Sequence, residues 1–276
     1  MSKALMTIHG FLTTVDDFGR LYDYLDCYDE VVKVEIPGHN GEVDFSKFTV
    51  ESTQEAVLFA YDKLREIHDE VDVVGFSMGG ALATWLCAQR DVHKAVLVAP
   101  SNKFINILMP LEAAKFYSGL GLSTYVDAEG GISNKHAALK EAFEPYGENL
   151  SLTNKIAVER TLKYLNPTTF GVFRKLMRVI DKFVEEHSPV TTPTFILWGK
   201  LDELVQHRSV KFVLKHFPNA ECNVYPDIGH ATLSTNRDNL LITDIMNFLT
   251  DGKFDEEVPY RELKEDRQSE NSSNNK

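Results

Sequence analysis

Gly75-Phe76-Ser77-Met78-Gly79-Gly80 decides how this chain is read. The hexamer follows the apolar run Val71-Asp72-Val73-Val74 and passes directly into Ala81-Leu82-Ala83-Thr84-Trp85, so a G-x-S-x-G pattern sits between a strand and a helix. A residue at so sharp a turn takes strained backbone angles, and side chains two positions to either side would strike the neighbouring strand or helix; glycine at 75 and 79 removes both obstacles. Ser77 is therefore expected to stand clear of the sheet at a helix N-terminus, where free N–H groups and the positive dipole end face a reacting centre. The bland alternative is a glycine-rich turn with an incidental serine.

Outward from this turn, short β-branched runs recur: Ala4 to Ile8, Val31 to Ile36, Val71 to Val74, Ala95 to Val98, Thr194 to Trp198 and Cys222 to Tyr225. Helical patterns separate them. Val57, Ala60, Tyr61, Leu64 and Ile67 stand at helical spacing between the second and third runs, and a second helix is expected from Gly79 to about Arg90. This alternation predicts an α/β fold, a mainly parallel sheet of about six strands flanked by helices on both faces. The rhythm breaks after Pro100. Residues 101–189 contain no convincing strand and read as an inserted helical cap, in which Asn166-Pro167 opens a helix carrying Phe170, Phe173, Leu176, Ile180 and Phe183. The stretches 104–109 and 120–126 are apolar without a polar face, so part of that surface is expected to meet the core or a ligand. The expected organisation is a core of residues 1–100 and 190–252, a cap of 101–189 and a flexible charged tail of 253–276, too polar to order itself.

Bulk properties narrow the partners. The 276 residues are 43% hydrophobic and 25% charged with a net charge of −12, the balance of an ordinary globular protein. No block rich in Lys and Arg is present, which argues against a nucleic-acid or anionic-lipid footprint. No apolar run reaches the roughly 18 residues of a membrane span, and the start is too short for a secretory signal, so a cytoplasmic location is expected. Cys27, Cys87 and Cys222 are scattered without metal-ligand spacing and read as buried free thiols. Oligomeric state is not legible.

A serine hydroxyl near its free pKa is a poor nucleophile and needs an imidazole to remove its proton. His230, in Asp227-Ile228-Gly229-His230-Ala231, follows the last strand and emerges at the same sheet edge as Ser77. His68, His93 and His216 lie in helices or charged stretches and read as solvated. The acid that orients the histidine should also leave a strand end, and Asp202 in Trp198-Gly199-Lys200-Leu201-Asp202-Glu203 does so, with Glu203 as its rival. The chain order Ser77, Asp202, His230 differs from the chymotrypsin and subtilisin orders. Two backbone donors for a developing oxyanion are expected at Met78, after the nucleophile, and at Phe11, in His9-Gly10-Phe11 after the first strand. Such a site requires no metal and no organic cofactor.

Together His9-Gly10-Phe11, the Ile36-Pro37-Gly38-His39 turn, residues 75–80, Trp198-Gly199 with Asp202, and Gly229-His230 resemble the α/β-hydrolase superfamily over residues 1 to about 250. Within it the chain is most similar to small bacterial carboxylesterases and monoacylglycerol-lipase-like enzymes. The resemblance implies a sheet trimmed to six strands, since the family usually carries two more before the first one here. It assigns the His39 turn a structural role, and with serine at the elbow it argues against the epoxide hydrolase and haloalkane dehalogenase branches. The expected activity is hydrolysis of small-molecule carboxylic esters with short to medium acyl chains through an acyl-enzyme on Ser77. Thioesters, amides or carbon-carbon bonds are the alternatives for the same triad, and a non-catalytic ligand-binding protein is the alternative outside enzymology.

Overall fold

Each of the six apolar runs becomes a strand: β1 Lys3–Ile8, β2 Glu30–Val34, β3 Glu70–Phe76, β4 Ala95–Val98, β5 Thr194–Gly199 and β6 Ala220–Tyr225. The computed structural model describes residues 1–103, 164, 167–200, 202, 204–230, 233 and 237–260. The strands form one sheet in the order β2-β1-β3-β4-β5-β6, and all five pairings are parallel. β1 leads outward to β2 at one edge, while β3 to β6 build toward the other. The strand order therefore reverses between β1 and β3, where open α/β sheets form a crevice at their carboxyl ends.

Five helices are described: α1 Val50–Ile67, α2 Met78–Cys87, α3 Pro167–Glu186, α4 His207–His216 and α5 Asp238–Leu249. Alternate strand residues feed two cores, as a two-residue side-chain period demands. Met6, Ile8, Val71 and Val73 join α1, α2, α3 and α4 on one face. Leu5, Val74 and Phe76 join α5 and a 3₁₀ segment, Val15–Tyr24, on the other. Burial on both faces explains why the inner strands β1, β4 and β5 read as near-continuous apolar runs and not as alternating ones, whereas the edge strands β2 and β6 are partly exposed.

Local chemistry sets the helix starts. Thr49 Oγ1 accepts the N–H of Ser52 at 3.0 Å while Ser52 Oγ accepts the N–H of Thr49 at 3.1 Å, a reciprocal cap that starts α1. Helix α2 is buried along its whole length, because the sheet lies beneath it and α3 packs across it. The expected stripe on α3 is present: Phe173, Leu176 and Ile180 are buried, with Phe170 and Phe183 packed at its margin. Asp181 of α3 accepts from the side-chain N–H of Asn102 at 3.1 Å and the backbone N–H of Lys103 at 2.8 Å, tying α3 to the exit of β4. The apolar stretches 104–109 and 120–126 of the expected cap lie outside the described residues.

Several expectations need correction. His68 and His216 are buried, not solvated; His68 Nε2 lies 2.9 Å from Glu30, and burial lowers the His216 pKa. His93 is partly exposed and pairs with the buried Asp72 at 2.7 Å, an interaction that raises its pKa. Of the free cysteines only Cys87 is buried, since Cys27 follows the 3₁₀ segment on the surface and Cys222 lies on the edge strand. Ile67, placed in the apolar stripe of α1, is exposed because the helix ends there. The start of the expected tail is docked: Val258 is buried, Phe254 packs against the second core, and the carbonyl of Pro259 accepts from Arg20. Two apolar side chains and one backbone carbonyl tie this charged stretch to the rest of the chain. Residues 261–276 lie outside the described ones.

Candidate active site

Helix α2 cannot begin where it does unless β3 turns sharply, and Ser77 makes that turn with φ 52° and ψ −112°. Holding a residue with a side chain there costs on the order of 1–3 kcal/mol and needs surroundings that enforce it. The surroundings are backbone. A side-chain carbon at Gly79 would stand 1.8 Å from the carbonyl oxygen of Ile8, and one at Gly75 would stand 2.3 Å from that of Gly79. The glycines thus let α2 press against the end of β1. Among residues 71–80 Ser77 alone is partly exposed.

Ser77 Oγ lies 3.0 Å from His230 Nε2, and His230 Nδ1 lies 2.9 Å from Asp202 Oδ2. The other carboxylate oxygen of Asp202 accepts the backbone N–H groups of Leu204 at 2.9 Å and Val205 at 2.7 Å. Both oxygens of a side chain with no solvent exposure are therefore engaged. Trp198 Nε1 donates to the carbonyl of Val205 at 2.8 Å, so the turn that holds Asp202 is itself braced. Glycine at 199 is required by close approach, because a side-chain carbon there would meet the carbonyl of Ile228 at 2.1 Å. That approach brings the exit of β5 against the loop that carries His230. Glu203, the rival acid, lies outside the described residues.

With Nδ1–H donated to Asp202, the Nε2 lone pair is left to accept from the Ser77 hydroxyl. The Phe76 ring lies 5.2 Å from the imidazole, centroid to centroid, and a side-chain carbon at Gly10 would come within 3.2 Å of the same ring. The His9-Gly10-Phe11 loop therefore flanks the serine turn. Met78 is the first residue of α2, where backbone N–H groups have no intrahelical acceptor. His9 is fully buried: Nε2 accepts the N–H of Ile36 at 3.3 Å, while Nδ1 lies 2.9 Å from the Gly10 carbonyl, which anchors the loop to the exit of β2. His39 is also buried and packs edge-on against Phe45 and Phe48. Phe11 stacks on Phe173 of α3 with centroids 4.7 Å apart, an aromatic pair at the His9-Gly10-Phe11 loop.

One residue had no signal in the sequence. Asp17, in the 3₁₀ segment, is 6% exposed and faces the back of the Gly10 loop. Burial pushes its carboxyl up to about 7, against the opposing pull of the Thr13 hydroxyl, the Gly10 N–H and the charge of His230. Asp16-Asp17 reads as a solvated charged pair, and only the folded chain shows that one member points inward. Among the described residues, no group of three His, Cys, Asp or Glu side chains converges in a way that could hold a metal ion. No described helix is long and apolar enough to cross a membrane.

A doubly wound parallel sheet with serine, aspartate and histidine linked in that chain order at its carboxyl edge defines an α/β protein of the hydrolase type. The chain belongs to the alpha/beta hydrolase fold family, whose sequence model matches residues 3–236. It is 22% identical over 249 residues to Lipase 1 of Psychrobacter immobilis, covering 84% of this chain and 72% of that one. It is likewise 22% identical over 253 residues to the pimeloyl-[acyl-carrier protein] methyl ester esterase of Legionella pneumophila strain Paris, covering 89% and 94%. Among solved structures, an esterase from Exiguobacterium antarcticum shares the fold with a TM-score of 0.63 at 14% identity, over 90% of this chain and 92% of that one. The chain is accordingly an esterase-like hydrolase enzyme.

Proposed function

We propose that this enzyme hydrolyses carboxylic esters of short to medium acyl chain length through an acyl-enzyme on Ser77. The observation that carries the proposal is the unbroken hydrogen-bonded chain from Ser77 Oγ through His230 to Asp202, at 3.0 and 2.9 Å. Ser77 Oγ attacks the acyl carbon as its proton passes to His230 Nε2, and the carbonyl oxygen becomes an oxyanion facing the N–H groups of Phe11 and Met78. Collapse breaks the bond to the alkoxy group, which leaves with the proton from Nε2. Water then attacks the acyl-serine, gives a proton to Nε2, and releases the acid as that proton returns to Ser77. Asp202, held by two backbone N–H groups, orients the imidazole and stabilises its cationic form without taking the proton. The half-buried Phe11 against Phe173 supports an apolar acyl group beside the reacting centre. The names of the similar lipase and methyl ester esterase support the bond type.

The test is hydrolysis of p-nitrophenyl esters from acetate to laurate by the wild type and by Ser77→Ala, with fluorophosphonate labelling located by mass spectrometry. Turnover that peaks at one of the shorter chains, vanishes in the variant and leaves the label on Ser77 is the expected result. A labelled Ser77 with no ester turnover would move the same nucleophile to thioesters, amides or carbon-carbon bonds. An unlabelled serine would leave a ligand-binding protein.

A further inference from the structure

The loop that follows β1 makes two tight turns within a few residues. Leu12 takes a positive φ of 61°, and Thr14 then caps the 3₁₀ segment. Asp17 sits inside this double turn. Its Oδ2 accepts the backbone N–H of Gly10 at 3.3 Å and also the hydroxyl of Thr13. One carboxylate oxygen thus gathers both sides of the loop. Around it, Asp16 opposes its ionisation and His230 favours it, and the Tyr22 hydroxyl is itself affected by its charge.

What this shared oxygen holds is a glycine. Glycine is the residue least able to hold its own backbone direction, and Gly10 precedes the amide of Phe11. The position is tight, since a side-chain carbon there would stand 3.2 Å from the Phe76 ring and from Thr13 Oγ1. The restraint on the backbone must therefore come from outside the residue, and the hydrogen bond from Gly10 N–H to Asp17 supplies it.

We propose that Asp17 is a positioning residue for ester hydrolysis, its carboxyl holding the Gly10 amide and the Thr13 hydroxyl so that the Phe11 N–H is aimed at the acyl oxygen. The inference rests on the roles given to Ser77 and Phe11 above. Asp17 touches no reacting atom; it acts through the loop. Removing an oxyanion donor outright costs about 10²–10³ in kcat, and misaiming one costs less, on the order of 10–100-fold. Because the donor works in the transition state, the loss falls on kcat and leaves KM within about two-fold.

The experiment compares kcat and KM on p-nitrophenyl butyrate for the wild type, Asp17→Ala, Asp17→Asn, Thr13→Val and the exposed control Asp16→Asn, each first checked for a cooperative urea transition. Asparagine can keep an oxygen in the place of Oδ2, so Asp17→Asn is expected to recover most of the kcat that Asp17→Ala loses, while Asp16→Asn matches the wild type. Wild-type kcat in Asp17→Ala overturns the inference, and so does an Asp17→Asn variant as impaired as Asp17→Ala, which would make charge and not the tie the operative feature. If Asp17→Ala does not fold, Thr13→Val decides: a several-fold kcat loss at unchanged KM supports the tie, and unchanged kcat refutes it. A wild type that neither turns over ester nor takes a fluorophosphonate on Ser77 sinks the ester-hydrolase reading itself, and the inference falls with it. An active, labelled wild type beside a fully active Asp17→Ala sinks the inference alone.

Discussion

Asp202→Asn changes one atom and, by the geometry here, should disable the imidazole without loosening it. Asp202 Oδ1 accepts two backbone N–H groups, from Leu204 and Val205, and Oδ2 faces His230 Nδ1. An asparagine must put either its oxygen or its NH2 group against those backbone donors. Facing them with NH2 leaves two buried donors unsatisfied at about 1–3 kcal/mol each, so the oxygen stays there by roughly 2–6 kcal/mol. The NH2 group then points at His230 Nδ1 and forces that nitrogen to accept. The imidazole proton moves to Nε2, the atom 3.0 Å from Ser77 Oγ, which can no longer take the serine proton. Only molecules with the amide reversed stay competent, and a bias of 2–6 kcal/mol makes them about one in 30 to about one in 2.5 × 10⁴. The expected outcome is a kcat on p-nitrophenyl butyrate lower by about 10²–10⁴-fold, with KM nearly unchanged and an ordinary urea transition. Nitrogen NMR of the His230 ring reads the tautomer directly. A kcat within ten-fold of wild type, or a variant that still carries its proton on Nδ1, would refute the reasoning.

Gly79→Ala places a methyl carbon 1.8 Å from the carbonyl oxygen of Ile8, so α2 or β1 must move by on the order of 1 Å. A loss of about 3 kcal/mol in urea unfolding and about 10²-fold in kcat/KM is expected, and a variant with wild-type midpoint and rate would show that the elbow is not held by this contact. Asp17→Asn tests the buried carboxyl through stability. Its pKa rises from 3.8 to about 7 on folding, so the unfolded chain loses the proton first; the contribution is fully present below pH 4 and is lost as pH rises through 7. Between pH 5 and 8 the variant should gain about 3 kcal/mol on the wild type in urea unfolding, and parallel stability curves would mean that the carboxyl is ionised throughout.

Periodicity carries far in this chain because both faces of a parallel sheet are covered. The inner strands β1, β4 and β5 then read as near-continuous apolar runs, while the partly exposed edge strands β2 and β6 carry Lys33, Glu221 and Asn223; the helices between them show their stripes, as α3 does at Phe173, Leu176 and Ile180. The serine turn is legible for a related reason. A backbone that must pass 1.8 Å from where a side-chain carbon would sit leaves glycine as the residue that fits, so Gly79 writes a tertiary contact into the sequence. Polar side chains leave no such mark. His68 and His216 stand in charged stretches and are nonetheless buried, because neighbours distant in sequence close over them. Cys27 and Ile67 err in the opposite direction, apolar by type but set at segment ends that the core does not reach.

The sequence by itself determined the fold class, the place of Ser77 on a strand-turn-helix, and the chain order in which an acid and a histidine leave later strands. These follow from local rules of strand alternation, helix spacing and glycine at forbidden angles, each acting over a few residues. Tertiary structure alone decided that His230 reaches both Ser77 and Asp202, since Ser77 and His230 lie 153 residues apart and only parallel strands in one sheet bring their ends together. It alone decided which member of Asp16-Asp17 turns inward toward Gly10. Burial and hydrogen bonding are properties of what the rest of the chain packs against a side chain, and that information is spread too widely along the sequence to be read at the residue itself.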